Sequence, residues 1–333
     1  MFERTNRRKS ERRVPLTASF MACSAVLAST GLPGSKRRSP ATAGCGVANS
    51  GEAAWRSANR AHWDERTAIH LAPGGYNFAT LREGRAQFAA IERDELPPLA
   101  GKRAVHLQCH FGADTLKLLQ HGAAAVVGLD FSGPAIKAAR ALAAELGFAD
   151  RARFVEADLY DAVAAIPDAG TFDVAYVTWG AICWLPDISR WCEIVAKMLR
   201  PGGSLYLADG HPAALVLDDA VAASDGTPGF YTPSFSGDPV IYCESEDYIV
   251  GETTFKNAIT HTWIHPLGEI VTGLIEAGMR LDWLHEHDAV PWRMFRVLVR
   301  EAQGLYRWPG KPWLPLAFSL SATRLQPMGR PDA

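Results

Sequence analysis

Residues 103–132 read RAVHLQCHFGADTLKLLQHGAAAVVGLDFS, and this stretch decides the fold. The run from Arg103 to Gln108 has the continuous apolar character of a buried strand. Gly112 to His121 then has helical periodicity and closes at Gly122, the position where a left-handed residue ends a helix. Val126 to Asp130 is a second apolar strand that stops at an acid. Strand, turn, helix and strand within thirty residues form a βαβ unit, which sets two parallel strands side by side.

The alternation continues outward. Ser132 caps a helix with Pro134 in its first turn and Ile136, Ala139, Leu142, Ala143 and Leu146 as its apolar stripe, ending at Gly147. A third strand is predicted at Arg153–Ala157 and a fourth at Phe172–Val177. Asp187 caps a further helix with Ile188, Trp191, Cys192, Val195 and Leu199 on one face, stopped by Arg200-Pro-Gly-Gly203. Ser204–Ala208 is the fifth strand. Pro266 opens a helix bearing Leu267, Ile270, Val271, Leu274 and Ile275 that ends at Gly278, and strands Arg280–His285 and Leu316–Thr323 follow. The expected fold class is α/β, a Rossmann-like, doubly wound, mostly parallel seven-stranded sheet with helices on both faces.

Composition narrows the function. The 333 residues are 48% hydrophobic and 21% charged, as in a globular protein. The net charge of -2 hides an asymmetry: residues 1–40 carry nine Lys/Arg against two acids, and the remainder is acidic, net -9. An acidic body repels a phosphate backbone, so no nucleic-acid partner is expected. No apolar run reaches the ~18 residues that span a bilayer, so no membrane partner is expected either. Six cysteines show no CxxC and no regular spacing, which fits a reducing, cytoplasmic setting. Residues 1–50 are expected to be a disordered leader, read either as a targeting segment behind Arg7, Arg8, Arg12 and Arg13 or as an upstream extension. Residues 51–100, with Trp55, Trp63, Tyr76 and Phe78, are expected as a helical cap. The Gly/Pro/Asp-rich segment 211–262 is an insertion after the fifth strand, and 326–333 a disordered tail. Both cap and insertion lie where lids would. The oligomeric state is left open.

In a doubly wound sheet the loop after strand one meets the ligand, and an acid ending strand two accepts ribose hydroxyls. Asp130 stands there, 18 residues beyond Gly112. A dinucleotide fingerprint would need glycines at 108, 110 and 113, where the chain has Gln108, His110 and Ala113, so an NAD(P)-dependent oxidoreductase loses its main support. A P-loop is absent as well. His261 and His265 are four apart and His285 and His287 two apart, but neither pair has further ligands at metal spacing, and no metal is expected. Cys109 has only His110 beside it, too little for a hydrolase nucleophile.

Over roughly residues 101–325 the chain resembles the class I S-adenosylmethionine-dependent methyltransferases. Their first motif corresponds to His106-Leu-Gln-Cys-His-Phe-Gly112, their second to Asp130, and their third to Ala157-Asp158-Leu159, whose acid holds the adenine amino group in that family. Leu199-Arg-Pro-Gly-Gly203 matches the segment leading into strand five. The likeness is greatest to a bacterial branch in which HLQCHFG replaces the glycine-rich loop and NRAHWDERTAIH, residues 59–70, precedes it. It implies a methyltransferase domain over 101–325, S-adenosyl-L-methionine as cofactor and a small-molecule methyl acceptor.

The implied cofactor-binding set is Gln108, His110, Gly112, Asp130, Phe131, Asp158, Leu159, Thr178 and Trp179. His106 stands where the family has an acid, and Gln108 and His110 where it has glycines, which reduces the loop's freedom for positive φ. The Gln108 amide either donates to the methionyl carboxylate or accepts from its ammonium. Trp179 and Trp184, after strand four, either face the sulfonium or pack under the next helix. His211, just after strand five, is the candidate catalytic base, with hydrogen bonding within its turn as the alternative and Asp209 as a weaker rival. A non-catalytic nucleoside-binding module is the other class of function that this sequence allows.

Overall fold

The computed structural model describes residues 52–243, 247 and 255–326. The expected leader 1–50 with Cys23 and Cys45, residues 327–333 of the tail, and parts of the 211–262 insertion lie outside the described residues.

Seven strands make the central sheet: β1 (Arg103–Leu107), β2 (Ala125–Asp130), β3 (Ala152–Glu156), β4 (Phe172–Thr178), β5 (Leu199–Gly210), β6 (Met279–His287) and β7 (Ala317–Arg324). Their order is β3-β2-β1-β4-β5-β7-β6. β7 runs antiparallel to both neighbours, and the pairings from β3 to β5 are parallel. Leu107 pairs with Leu129, Asp130 with Glu156, and Thr178 with Ala208, so these strands present their carboxyl ends along one edge.

The helices are α1 (Glu52–Leu71), α2 (Ala113–Gln120), α3 (Gly133–Glu145), α4 (Ile188–Met198) and α5 (Leu267–Glu276), besides several single turns. Ser132 Oγ accepts from Ala135 N at 3.3 Å and Asp187 Oδ1 from Arg190 N at 2.8 Å, so both expected caps form. α2 follows Gly112, which is left-handed at φ +76°. A side chain there would meet Phe154 at 2.5 Å and Ala139 at 2.9 Å, so glycine also lets the turn press onto β3 and α3.

The strands bury both faces, as near-continuous apolar runs require. Val105, Leu107, Val127, Leu129, Ala175, Val177, Leu205 and Leu207 face α4 and α5, with Trp191 fully buried among them. Ala104, Val126, Val174, Tyr176 and Tyr206 face the other way, toward α2, α3 and residues 78–99. Ile275, expected on the apolar stripe of α5, is 57% exposed; Ile270 and Leu274 make its buried face.

Two further features differ from expectation. β5 begins at Leu199 rather than Ser204, because Leu199 already pairs with Phe172 of β4; Arg200–Gly203 fall within the register shift before Ser204 pairs with Val174. Residues 288–315, between β6 and β7, form a second insertion of three short strands that buries Val290, Trp292, Met294, Phe295 and Leu298. Its strands are two residues each, too short to leave a periodic signal.

Candidate active site

A cleft with about 550 Å³ of open space lies at the carboxyl ends of β1, β2 and β3. Its floor is Gln108 and His110 after β1, Leu129, Asp130 and Phe131 at the end of β2, and Asp158 and Leu159 after β3. Trp184 and Leu185, beyond β4, form one wall. Trp55, Asn59 and Trp63 of α1 form the roof. Their spacing of four places them on one helix face.

The loop after β1 keeps the backbone of a glycine turn without its glycines. Gln108 has φ +59° and His110 φ +50°, both left-handed. Non-glycine residues there cost about 1–3 kcal/mol each and persist where their surroundings hold them. Here Cys109 N donates to Leu129 O at 2.9 Å, and His110 N donates to Asp130 Oδ2 at 2.8 Å. The loss of conformational freedom expected from Gln108 and His110 therefore does not abolish the turn.

Asp130 also accepts from Ser132 N through Oδ1 at 2.9 Å. Burial pushes its carboxyl up to about 6, against the pull of these backbone N–H groups. Asp158 caps its own turn, Oδ1 accepting from Tyr160 N at 2.9 Å, while Arg56 Nε of the roof stands 3.4 Å from Oδ2. Burial holds His110 well below the ordinary histidine value, with Arg66 and His70 adding to the effect, so the imidazole facing the cleft is neutral.

Three buried polar atoms of cleft residues have no hydrogen-bond partner among the described residues: Gln108 Oε1, His110 Nε2 and Trp184 Nε1. Gln108 Nε2 is already used, donating to Ala181 O at 2.7 Å, which leaves Oε1 as an acceptor. An unpaired buried donor or acceptor costs about 1–3 kcal/mol, so a ligand that pairs all three gains by it. An α-amino acid group on a nucleoside supplies donors and acceptors of this kind. The residues fit S-adenosylmethionine.

The roof is fastened by polar pairs. Asn59 exchanges two hydrogen bonds with the His261 backbone, at 2.9 and 2.8 Å, and Glu65 accepts from Lys256 N at 2.8 Å and Asn257 N at 2.9 Å. Trp63 meets Trp184 and His110 edge to face, with ring centroids 5.3 and 5.2 Å apart.

Of the residues expected from the sequence, Gln108, His110, Asp130, Phe131, Asp158 and Leu159 line this cleft, and Gly112, Thr178, Trp179 and His211 do not. Gly112 packs beneath it and Thr178 is buried in the sheet. Trp179 turns to the opposite side, where Nε1 donates to buried Glu92 at 2.8 Å and the ring meets Trp292 at 5.5 Å; Trp184 takes the place beside the ligand space. His211 caps the turn Pro212–Leu215, with Nδ1 accepting from Ala213 N at 3.0 Å and Nε2 standing 2.8 Å from Glu286 Oε1. Nδ1 is engaged in its turn and Nε2 faces Glu286, and His211 is not in the lining of the cleft, so these contacts favour the turn role that the sequence also offered. Asn59 and Arg56 escaped sequence reading, although their spacing with Trp55 and Trp63 carried a signal. Among the described residues no three His, Cys, Asp or Glu side chains are placed to hold a metal ion.

Residues 104–203 match the family model of a methyltransferase domain. The chain is similar in structure to a candidate S-adenosylmethionine-dependent methyltransferase from Listeria monocytogenes at 16% identity, with 70% of this chain and 96% of that one covered and a TM-score of 0.50. A methyltransferase of the same cofactor dependence from Mesorhizobium loti aligns at 23% identity over 70% and 96% of the two chains, with a TM-score of 0.48. The Listeria likeness establishes the shared fold. The methyltransferase-domain match over residues 104–203 and the shared fold support the class I S-adenosylmethionine-dependent methyltransferases. The protein is accordingly an enzyme with S-adenosylmethionine as cofactor and a methyl acceptor as substrate. No helix among the described residues is long and apolar enough to cross a membrane.

Proposed function

We propose that this enzyme methylates a small-molecule nucleophile, with residues 51–100 as a cap over a catalytic body of 101–325 and residues 211–262 as an insertion closing the acceptor side. Bound S-adenosylmethionine supplies an electrophilic methyl group on a sulfonium. Asp130 takes the ribose hydroxyls and Asp158 with Leu159 the adenine edge. Gln108 Oε1 accepts from the ammonium group, and Trp184 Nε1 donates to the carboxylate or to the acceptor. Trp63 and Trp184 exclude water and present aromatic faces to positive charge.

Rate enhancement comes chiefly from holding the acceptor in line with the methyl group, an effect that reaches ~10⁵–10⁸ M in effective concentration for well-oriented reactants. His110, being neutral, adds no charge repelling a cationic sulfonium. The observation that carries this reading is the grouping of Gln108 Oε1, His110 Nε2 and Trp184 Nε1, all buried and unpartnered, around one aromatic cleft that also holds Asp130.

The test is calorimetric binding of S-adenosylhomocysteine to the parent and to Gln108→Ala, followed by a screen of small amines, alcohols, thiols and carbon acids for its release. Tight binding lost in the variant, with release driven by one acceptor class, is the expected result. Tight binding with no release from any acceptor would favour the non-catalytic module, and absence of binding would remove the reading.

A further inference from the structure

Asp209, near the end of β5, is buried and lies outside the cleft, yet its carboxylate organises the loop that follows β4. Oδ1 accepts from Gly180 N at 2.6 Å and Gly210 N at 2.7 Å, and Oδ2 accepts from Ala181 N at 3.2 Å and Ile182 N at 3.4 Å. Three consecutive N–H groups turned onto one anion form a backbone nest, filled here by the protein's own carboxylate. The nest begins with a left-handed pair, Trp179 at φ +46° and Gly180 at φ +75°. Trp179 is a bulky residue in that region and is held from two sides, its N–H donating to Ala208 O at 2.9 Å and its ring to Glu92.

The far side of the same loop meets the cleft. Ala181 gives its N–H to Asp209 and receives Gln108 Nε2 on its carbonyl at 2.7 Å. One residue therefore links the buried carboxylate to the amide whose Oε1 is unpartnered in the cleft. With both oxygens of Asp209 occupied by backbone donors, no proton from an acceptor reaches it.

We propose that Asp209 is a positioning residue for cofactor binding, which sets the loop Trp179–Ile182 and through the Ala181 carbonyl aims the Gln108 amide at the cofactor. The proposal rests on the reading above that Gln108 Oε1 meets the cofactor.

A double-mutant cycle separates this from a merely structural role, because residues acting through one another give non-additive effects while independent ones add. S-adenosylhomocysteine affinity is measured by calorimetry for the parent, Asp209→Asn, Gln108→Ala and the double variant. Each single change is expected to weaken binding about tenfold, the scale of one lost charge-assisted hydrogen bond. The double variant is expected to match Gln108→Ala within about twofold. Effects that multiply would overturn the proposal while leaving the cofactor reading intact, whereas unchanged affinity in Gln108→Ala would overturn both. Should Asp209→Asn fail to fold, hydrogen exchange at the amides of Gly180, Ala181 and Ile182 decides the matter in the other two proteins. S-adenosylhomocysteine is expected to slow that exchange in the parent and not in Gln108→Ala. Exchange unaffected by ligand in the parent, or slowed equally in both, would overturn the proposal.

Discussion

Asp130 Oδ2 accepts the backbone N–H of His110 at 2.8 Å, so the carboxylate at the end of β2 supports the left-handed turn after β1 before any ribose is present. The same group thus has two duties. It stabilises a loop conformation that glycine would reach without help, and in the proposed binding mode its remaining lone pairs accept the ribose hydroxyls.

The first duty and the second separate with pH. Burial raises the Asp130 carboxyl from 3.8 to about 6, and ribose hydroxyls donate best to the ionised form. Affinity for S-adenosylhomocysteine is expected to fall as pH drops from 7 to 5, because protonation must be reversed for binding. Asp130→Asn should bind more weakly at pH 7, by about 1.5–3 kcal/mol, and with a flatter profile. Calorimetry at several pH values checks this, and an undiminished pH dependence in Asp130→Asn would assign the titration to another group. Burial raises the Asp209 carboxyl to about 6 as well, so the same profile measured in Asp209→Asn separates its titration from that of Asp130.

Much of this was legible beforehand because it depends on local signals. The caps at Ser132 and Asp187 and the left-handed glycines at 112, 122 and 278 each act within a few residues of themselves, and the acid at 130 is marked by its place at a strand end. What was not legible depends on which way a side chain points at a strand end. Trp179 and Trp184 are equivalent as sequence, but the left-handed backbone at Trp179 turns its ring toward Glu92, a residue 87 positions earlier. His211 allowed two readings from its place after β5, a base or a cap of its own turn, and its approach to Glu286, on the far strand β6, had no sequence signal. The roof residue Asn59 pairs with His261, 202 positions away, on one of two paired strands of four residues each.

His106, in the place where the related enzymes carry an acid, faces α2 instead of the cleft, with Nδ1 2.8 Å from Thr115 Oγ. Burial lowers its imidazole from 6.5 to about 4, so the folded protein resists a proton that the unfolded chain accepts. The stability this contributes is present above pH 6.5 and is lost as pH falls toward 4. Urea denaturation of the parent and His106→Gln between pH 7 and 4.5 should show the variant losing less stability on acidification. Parallel curves would mean that His106 does not titrate as its burial requires.

Asn59 ties α1 to the paired strands Val240–Cys243 and Ile259–Thr262 with two hydrogen bonds to the His261 backbone, at 2.9 and 2.8 Å. Asn59→Ala leaves that N–H and C=O unpaired, at a cost of about 1–3 kcal/mol. A lower thermal midpoint is expected, together with faster S-adenosylhomocysteine release in stopped flow, because the roof over the cleft is less firmly held. Unchanged release with a lowered midpoint would make Asn59 a matter of stability alone.

His211 shows the turn bond that the sequence allowed as the alternative to a base. Its Nδ1 accepts from Ala213 N in the manner of a helix N-cap, and its Nε2 faces Glu286. Burial holds the imidazole below the ordinary histidine value although Glu286 pulls the other way, so the neutral form that caps the turn prevails near pH 7. Asparagine is a strong N-cap and alanine a poor one, the difference amounting to about 0.5–2 kcal/mol. His211→Asn is therefore expected to melt close to the parent and His211→Ala several degrees lower, with S-adenosylhomocysteine affinity unchanged in both. Once an acceptor is found, turnover in His211→Asn should also stay near the parent value. A collapse of turnover with intact affinity and stability would restore His211 as the base and would require the acceptor to approach along β5.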